Sequence, residues 1–297
     1  MEYALIKKSL ALSLVTCCLI SNATNPYKPD KKLAEISGWE LIWHDEFSKL
    51  SKPDTTKWRY ETGFVRNEEL QWYSENNAIC HKGVLLIEAR TDTFPNPKYE
   101  YDSDNWKKSR EKVTITSASI NTRKKFSFQY GRFEVRARID TTCGSWPAIW
   151  TLGVEGHWPA NGEIDQMEFY RVHGVPTLLA NVAHAGKDKW KPTWDSSRTP
   201  LSVFLKKDTK WTQKFHVWRM DWDAKSIKLY LDNVLLNTTE LTNTKNANGI
   251  IPAEPFKQPH YILLNLAIGS NGGTLRNNSL PIKYEVDYVR VYQKIVK

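Results

Sequence analysis

From Trp39 onward, apolar side chains recur at every second position rather than at helical spacing, and that period commits the chain to sheets. Phe133, Val135, Ala137 and Ile139 form one face of a stretch whose other face is Arg132, Glu134, Arg136 and Arg138. Further strands are read at 83–90, 113–121, 146–152, 163–170, 178–184, 215–222 and 227–231. Beyond the Asp232-Asn233 turn they continue at 234–237, 261–268 and 285–293. Many strands with no βαβ alternation, no composition break and no internal repeat imply one all-β domain over 38–297, a sandwich or jelly roll. Two long polar segments, 91–112 and 186–210, interrupt the series and carry Trp106, Trp190 and Trp194. Long loops in a compact β domain are expected to bind ligands.

Composition removes other classes. A chain with 13 Trp, 13 Tyr and 10 Phe is too aromatic for disorder. Such a set serves either an aromatic core or a surface that stacks on rings. The net charge of +9, from 42 Lys and Arg against 33 Asp and Glu, is spread without a basic tail or helix. That argues against nucleic acid and leaves, at most, a diffuse field attractive to acidic polymers.

At the N-terminus Lys7 and Lys8 precede an apolar run, 10–20, too short to span a bilayer; 1–23 reads as an export signal. Ser21-Asn22-Ala23 suits an ordinary signal peptidase. Residues 14–18 instead fit a bacterial lipobox, in which an acylated Cys17 or Cys18 would attach the protein to a membrane. The expected location is therefore periplasmic, cell-surface or secreted, with 24–37 as leader or tether. Cys80 and Cys143 remain in the mature chain, either as one disulfide or as two free thiols.

The chemistry-bearing segment is 161–170, where Glu163, Asp165 and Glu168 punctuate an otherwise apolar strand. In a regular strand Glu163 and Asp165 share a face and Glu168 points away. One extra residue at Gln166-Met167, a β-bulge, returns Glu168 to their side, and bulges favour active sites. An edge strand carrying protective charges is the plain alternative. Two Glu on one face are the parts of retaining glycoside hydrolysis, one ionised to attack the anomeric carbon and one protonated to release the leaving oxygen. Asp165 between them raises a neighbour's proton affinity and can share a proton. Four strand positions span about 13 Å, whereas the retaining mechanism wants carboxyl groups roughly 5–5.5 Å apart, so strong sheet curvature is expected.

Eight stretches in order, WHDEF at 43–47, NEELQWY at 67–73, TSASI at 116–120, YGRFE at 130–134, GSWPAIW at 144–150, WPANGEIDQME at 158–168, NLAIG at 265–269 and VDYVRVY at 286–292, carry a resemblance over almost all of the mature chain. The sequence resembles glycoside hydrolase family 16, the laminarinase-type enzymes. The resemblance implies an all-β jelly-roll sandwich of two curved antiparallel sheets with an open concave cleft. It implies Glu163 as nucleophile, Glu168 as acid/base and Asp165 as their assistant. Gln166 departs from the usual aliphatic residue. Asn67, Trp72, Trp146, Trp150, Trp158 and His184 are the expected substrate-binding residues, since aromatic faces take sugar rings and polar groups hold hydroxyls. For each, a core or structural role is the alternative.

Many such enzymes carry a structural calcium, whose matching positions are Glu46, Gly83 and Asp287; catalysis itself needs no cofactor. The expected partner is a polysaccharide or glycan chain, acted on by a monomer. The expected activity is endo-acting, on β-1,4-galactosyl links of mucin-type or poly-N-acetyllactosamine chains or, as the alternative, on β-1,3(4)-glucans. A lectin of the same fold is a second alternative. The long Lys-bearing loops and the positive charge favour host glycans.

Overall fold

A computed structural model describes residues 36–48, 51–276 and 278–295. The export signal, its cleavage sites and Cys17 and Cys18 lie outside the described residues. Strands stack into two sheets. The ten-stranded sheet runs Val234–Glu240, Ser226–Leu231, His216–Trp222, Gly131–Ile139, Ile282–Lys294, Val84–Pro95, Lys112–Ser117 and Trp72–Tyr73, with Trp39–Asp45 and Ala78–His81 paired alongside. The seven-stranded sheet runs Thr193–Pro200, Val175–His184, Glu163–Val172, Ser145–Gly153, His260–Ile268, Ser119–Asn121 and Arg59–Tyr60. Pairing is antiparallel throughout except for Trp72–Tyr73 beside Thr116 and Ser117, a short parallel pair.

The alternation at Gly131–Ile139 does what period two requires, burying every odd residue. Phe133 and Val135 from this sheet meet Ile149, Ile164, Met167 and Phe169 from the other in one core. Each such side chain contributes about 1.5–3 kcal/mol on burial. The outward Arg residues are not merely solvated. Arg132 pairs across strands with Asp221 at 2.7 Å, Arg136 with Asp287 and Arg138 with Glu285, the opposite-charge ladder that stabilises a sheet face. Gly131, at φ +114°, admits no side chain, because a Cβ there would sit 2.2 Å from the Tyr292 carbonyl oxygen.

Three departures from the sequence reading have physical causes. The run 113–121 is two strands: Lys112–Ser117 belongs to the larger sheet and Ser119–Asn121 to the smaller, the chain crossing at Ala118, whose carbonyl accepts from Leu266 N at 3.2 Å. The segment 186–210 is not all loop. It holds the strand Thr193–Pro200 and the helix Leu201–Lys207; the strand is a mostly exposed sheet edge, so its polar residues show no alternation. The segment 91–112 is likewise strand to Pro95, with a short helix Trp106–Ser109. Cys80 and Cys143 are free thiols. Burial pushes the Cys80 thiol up to about 12.

Candidate active site

The acidic strand lies third from one edge of the seven-stranded sheet, between Ser145–Gly153 and Val175–His184. Its register slips by one residue against both neighbours. Asp165 faces Trp150 and Asn181, but Glu168 faces Ala148 and Leu179. This is the bulge that the carboxylate spacing requires: Gln166 and Met167 together take one position, and Glu163, Asp165 and Glu168 emerge on one face. Met167 turns into the core. Gln166 is also fully buried, its Nε2 donating to the Phe133 carbonyl of the opposite sheet at 3.3 Å.

The three acids line a cleft of about 530 Å³ with Glu61, Arg66, Asn67, Trp146, Trp150, Trp158, Tyr170, Trp194, Tyr261 and Asn265 among its walls. Donors divide the acids by role. The Trp158 indole N–H donates to Glu163 Oε2. The Trp146 indole N–H donates to Glu168 Oε1 and the Asn181 amide to Glu168 Oε2, each at 3.0 Å. Asp165 Oδ2 is buried and meets no donor, an arrangement that costs least when the carboxyl group is neutral.

The electrostatics agree. Burial, then the charges of Glu163 and Glu168, raises Asp165 well above the usual carboxylate range. It therefore keeps its proton and hydrogen-bonds Glu163. Burial also raises Glu163, but the hydrogen bonds from Asp165 and Trp158 and the Arg66 charge pull it back. Glu168 is pushed up to about 7, by burial first and then by the charge on Glu163. Of the three, Asp165 is held most firmly neutral, Glu168 is poised near neutral pH to give or take a proton, and Glu163, though raised by burial, is the one whose donors and the Arg66 charge favour the ionised form.

The expected binding residues separate. Asn67, Trp146, Trp150 and Trp158 line the cleft, and Trp158 is 44% exposed, a ring face open to a ligand. Trp72 does not reach the cleft: it packs in a satellite core with Phe64 and Val113, since Trp and Tyr alternate at 72–73 and Tyr73 is the one that turns toward Asn265. His184 stands outside it too, its Nδ1 accepting from Gly186 N at 3.0 Å while burial lowers its pKa. Most other Trp serve cores, with Trp58, Trp211, Trp218 and Trp222 buried between the sheets. Sequence reasoning missed Arg66, Glu61, Asn181, Tyr261 and Asn265. Arg66 donates to Glu61 and lies 5.1 Å from the Trp150 ring centroid, and Asn265 Oδ1 accepts from Trp150 Nε1 at 2.7 Å. Only Asn181 had a usable signal, lying in the strand that hairpins back from the acids.

On the other sheet, register brings the expected calcium positions together. Asp45 pairs with Val289 and Leu85 with Val286, so Glu46 and Gly83 both fall beside Asp287. Two carboxylates and a carbonyl are the hard oxygen donors calcium takes. Asp287 Oδ1 is buried without a partner, and after burial and Arg136 the Glu46 charge is felt at Asp287. Both carboxylates also face guanidinium groups: Arg290 holds both Glu46 oxygens at 2.8 Å and Arg136 pairs with Asp287.

Comparison with known proteins agrees with this architecture. The chain is 34% identical over 283 residues to glucan endo-1,3-beta-glucosidase A1 of Niallia circulans, covering 87% of this chain and 38% of that protein. It is 28% identical over 300 residues to the keratan-sulfate endo-1,4-beta-galactosidase of Sphingobacterium multivorum, covering 95% of this chain and 65% of that one. It thus spans less than two thirds of the length of either relative. A solved structure from work on endo-acting O-glycanases, with which prominent members of the human gut microbiota initiate mucin breakdown, superposes with TM-score 0.77 at 33% identity, covering 88% of this chain and 92% of that one. Residues 93–290 match the glycosyl hydrolases family 16, and with the jelly-roll sheets and the acid strand in place, the chain belongs to that family.

Proposed function

We propose that the cleft hydrolyses β-glycosidic bonds inside a glycan chain by double displacement with retention. The observation that carries this is the bulge, which puts Glu163, whose donors favour its ionised form, and Glu168, pushed up to about 7, on one cleft face with Asp165 between them. Glu163 attacks the anomeric carbon while Glu168 gives its proton to the glycosidic oxygen, which leaves as an alcohol. A glycosyl ester on Glu163 results. Water then attacks the same carbon, its proton passes to Glu168, and Glu163 departs as a carboxylate. Asp165, protonated, donates to Glu163 and moderates its charge, more weakly as negative charge leaves Glu163 for the ester. Trp158 and Trp146 orient the two Glu side chains.

For substrate we favour host-type glycans with β-1,4-galactosyl links over β-1,3(4)-glucans. The likeness to an O-glycanase structure and to a keratan-sulfate galactosidase supports this. Incubation with laminarin, barley mixed-linkage glucan, keratan sulfate and mucin, followed by product masses, tests it. Laminarin cut rapidly, with no products from keratan sulfate or mucin, would reverse the preference.

Two attachments complete the reading. A calcium ion at Glu46, Gly83 and Asp287 would supply positive charge that ties three strands together. Added calcium should then raise the melting temperature and chelation lower it; an unchanged melting temperature counts against the ion. Export, free or as a lipoprotein, is tested by the mass of the mature N-terminus, where a diacylglyceryl group on Cys17 or Cys18 marks the anchored form.

A further inference from the structure

The catalytic cleft does not end at Glu61, Tyr261 and Leu263. Those side chains also wall an adjoining cavity of about 330 Å³, completed by Arg59, Tyr60, Asn121, Arg123 and Lys124. Its charge is one-sided. Arg59, Arg123 and Lys124 are exposed, and none of them is in an ion pair among the described residues. The single acid in the wall, Glu61, is already neutralised by Arg66 and accepts from Ser119 Oγ at 2.6 Å. Arg123 sits 5.8 Å from the Tyr261 ring centroid, so a cation and an apolar ring face meet at the mouth shared with the cleft.

Its position follows from strand order. Going away from the acid strand, the sheet runs through Ser145–Gly153, His260–Ile268 and Ser119–Asn121 to Arg59–Tyr60. Neighbouring strands are about 4.8 Å apart, which puts Arg59 roughly 19 Å from the acids. A glycan lying across the strands, with its cut bond at Glu163 and Glu168, reaches the cavity a few rings later. A neutral sugar there gains little from three cations. A sulfate ester or a carboxylate, charged at neutral pH, matches the guanidinium fork of Arg59 or Arg123 in two hydrogen bonds, while Tyr261, Tyr60 and Leu263 take the ring that carries it.

We propose that this cavity is a subsite for an anionic substituent, a sulfate ester or a sialic-acid-type carboxylate, on the glycan a few rings from the cleaved bond. The proposal rests on the glycan-hydrolase reading of the cleft, but not on any one linkage. Because the cations are exposed, salt weakens the preference, with screening over about 8 Å at physiological ionic strength.

The test compares matched pairs: keratan sulfate before and after desulfation, and sialylated mucin glycans before and after sialidase. The variant is Arg123→Gln with Lys124→Asn, Asn being chosen because Lys124 has φ +61°, where Asn is tolerated. Wild type should show kcat/KM about tenfold higher on the charged member of at least one pair, chiefly through KM. The variant should fall to near parity while keeping its melting temperature and its rate on the neutral member. Preference within the sulfated pair alone assigns sulfate, and within the sialylated pair alone assigns the carboxylate. Equal rates within both pairs for wild type, or a preference that survives in the variant, overturn the subsite. Should neither glycan be cut, the host-glycan reading fails by itself. Affinity electrophoresis through gels containing the same glycans then reads the subsite directly: retardation by the charged glycan, lost in the variant, supports it, and equal mobility overturns it.

Discussion

Replacing Glu168 with Gln should stabilise the protein at pH 8 relative to wild type far more than it does at pH 4.5. In the unfolded chain this carboxyl titrates near 4.5, whereas in the fold it is pushed up to about 7. Between those values the native state holds a proton that the unfolded state has lost, so this favourable contribution is complete below 4.5 and disappears as pH rises through 7. At 1.36 kcal/mol per pKa unit the whole effect is about 3 kcal/mol. Gln cannot ionise and escapes the cost. Its amide nitrogen does face one of two donors, Trp146 Nε1 or Asn181 Nδ2, a loss of about 1 kcal/mol that is the same at both pH values. The variant-minus-wild-type difference therefore isolates the titration. At roughly 2–4 °C per kcal/mol for a domain of this size, the melting-temperature difference should widen by about 6–12 °C between pH 4.5 and 8. Calorimetry on both proteins decides. A gap of equal size at the two pH values would refute the claim that burial and the Glu163 charge keep Glu168 protonated, and with it the role of general acid.

Glu163→Ala and Glu168→Ala should each lose nearly all turnover while remaining folded, and azide should rescue them with opposite stereochemistry, a β-glycosyl azide from Glu168→Ala and an α-azide from Glu163→Ala. The reverse products would exchange the roles. For wild type, kcat/KM should fall as pH rises through about 7 as Glu168 loses its proton; Glu168→Ala, assayed on a substrate whose leaving group needs no protonation, should lack that limb. Asp165→Asn should be slowed but not silenced, because the amide still donates to Glu163. Gln166→Met should raise stability by about 1 kcal/mol in urea unfolding, since Gln166 Oε1 is buried without a partner and its one bond is long at 3.3 Å; a loss of stability would show that the bridge to Phe133 outweighs the orphaned oxygen.

Period two carried most of the fold. It failed where a strand lacks two unlike faces. Thr193–Pro200 is mostly exposed, so nothing in its residues separates edge strand from loop. The run through Ala118 failed differently: apolar and polar residues mix on both sides of the crossing without a break, and a local pattern cannot say that Ser117 and Ser119 pair with different sheets. The carboxylates worked the other way. Their spacing is wrong for a regular strand, and that misfit located the bulge, because three acids in an apolar strand are tolerable only where one open face can receive them all.

The remainder of the site was hidden because it is assembled from distant parts of the chain. The three acids sit within one ten-residue strand, but the cleft wall beside them is Arg66 against Trp150, and Trp150 against Asn265, which in turn bonds Tyr73. Each of those residues has an ordinary local reading: a surface Arg, a core Trp, a strand Asn. The strand order alone makes them neighbours. Trp72 and Tyr73 illustrate the limit, since only pairing to Thr116 and Ser117 fixes which ring turns to the cleft side and which to Phe64. The reaction is thus written locally, in charges that must share a face, while the choice of glycan is written in sheet order. It follows that exchanging residues within 163–168 should alter rate on every substrate alike, whereas exchanging Arg66, Arg123 or Asn265 should alter which glycan is cut.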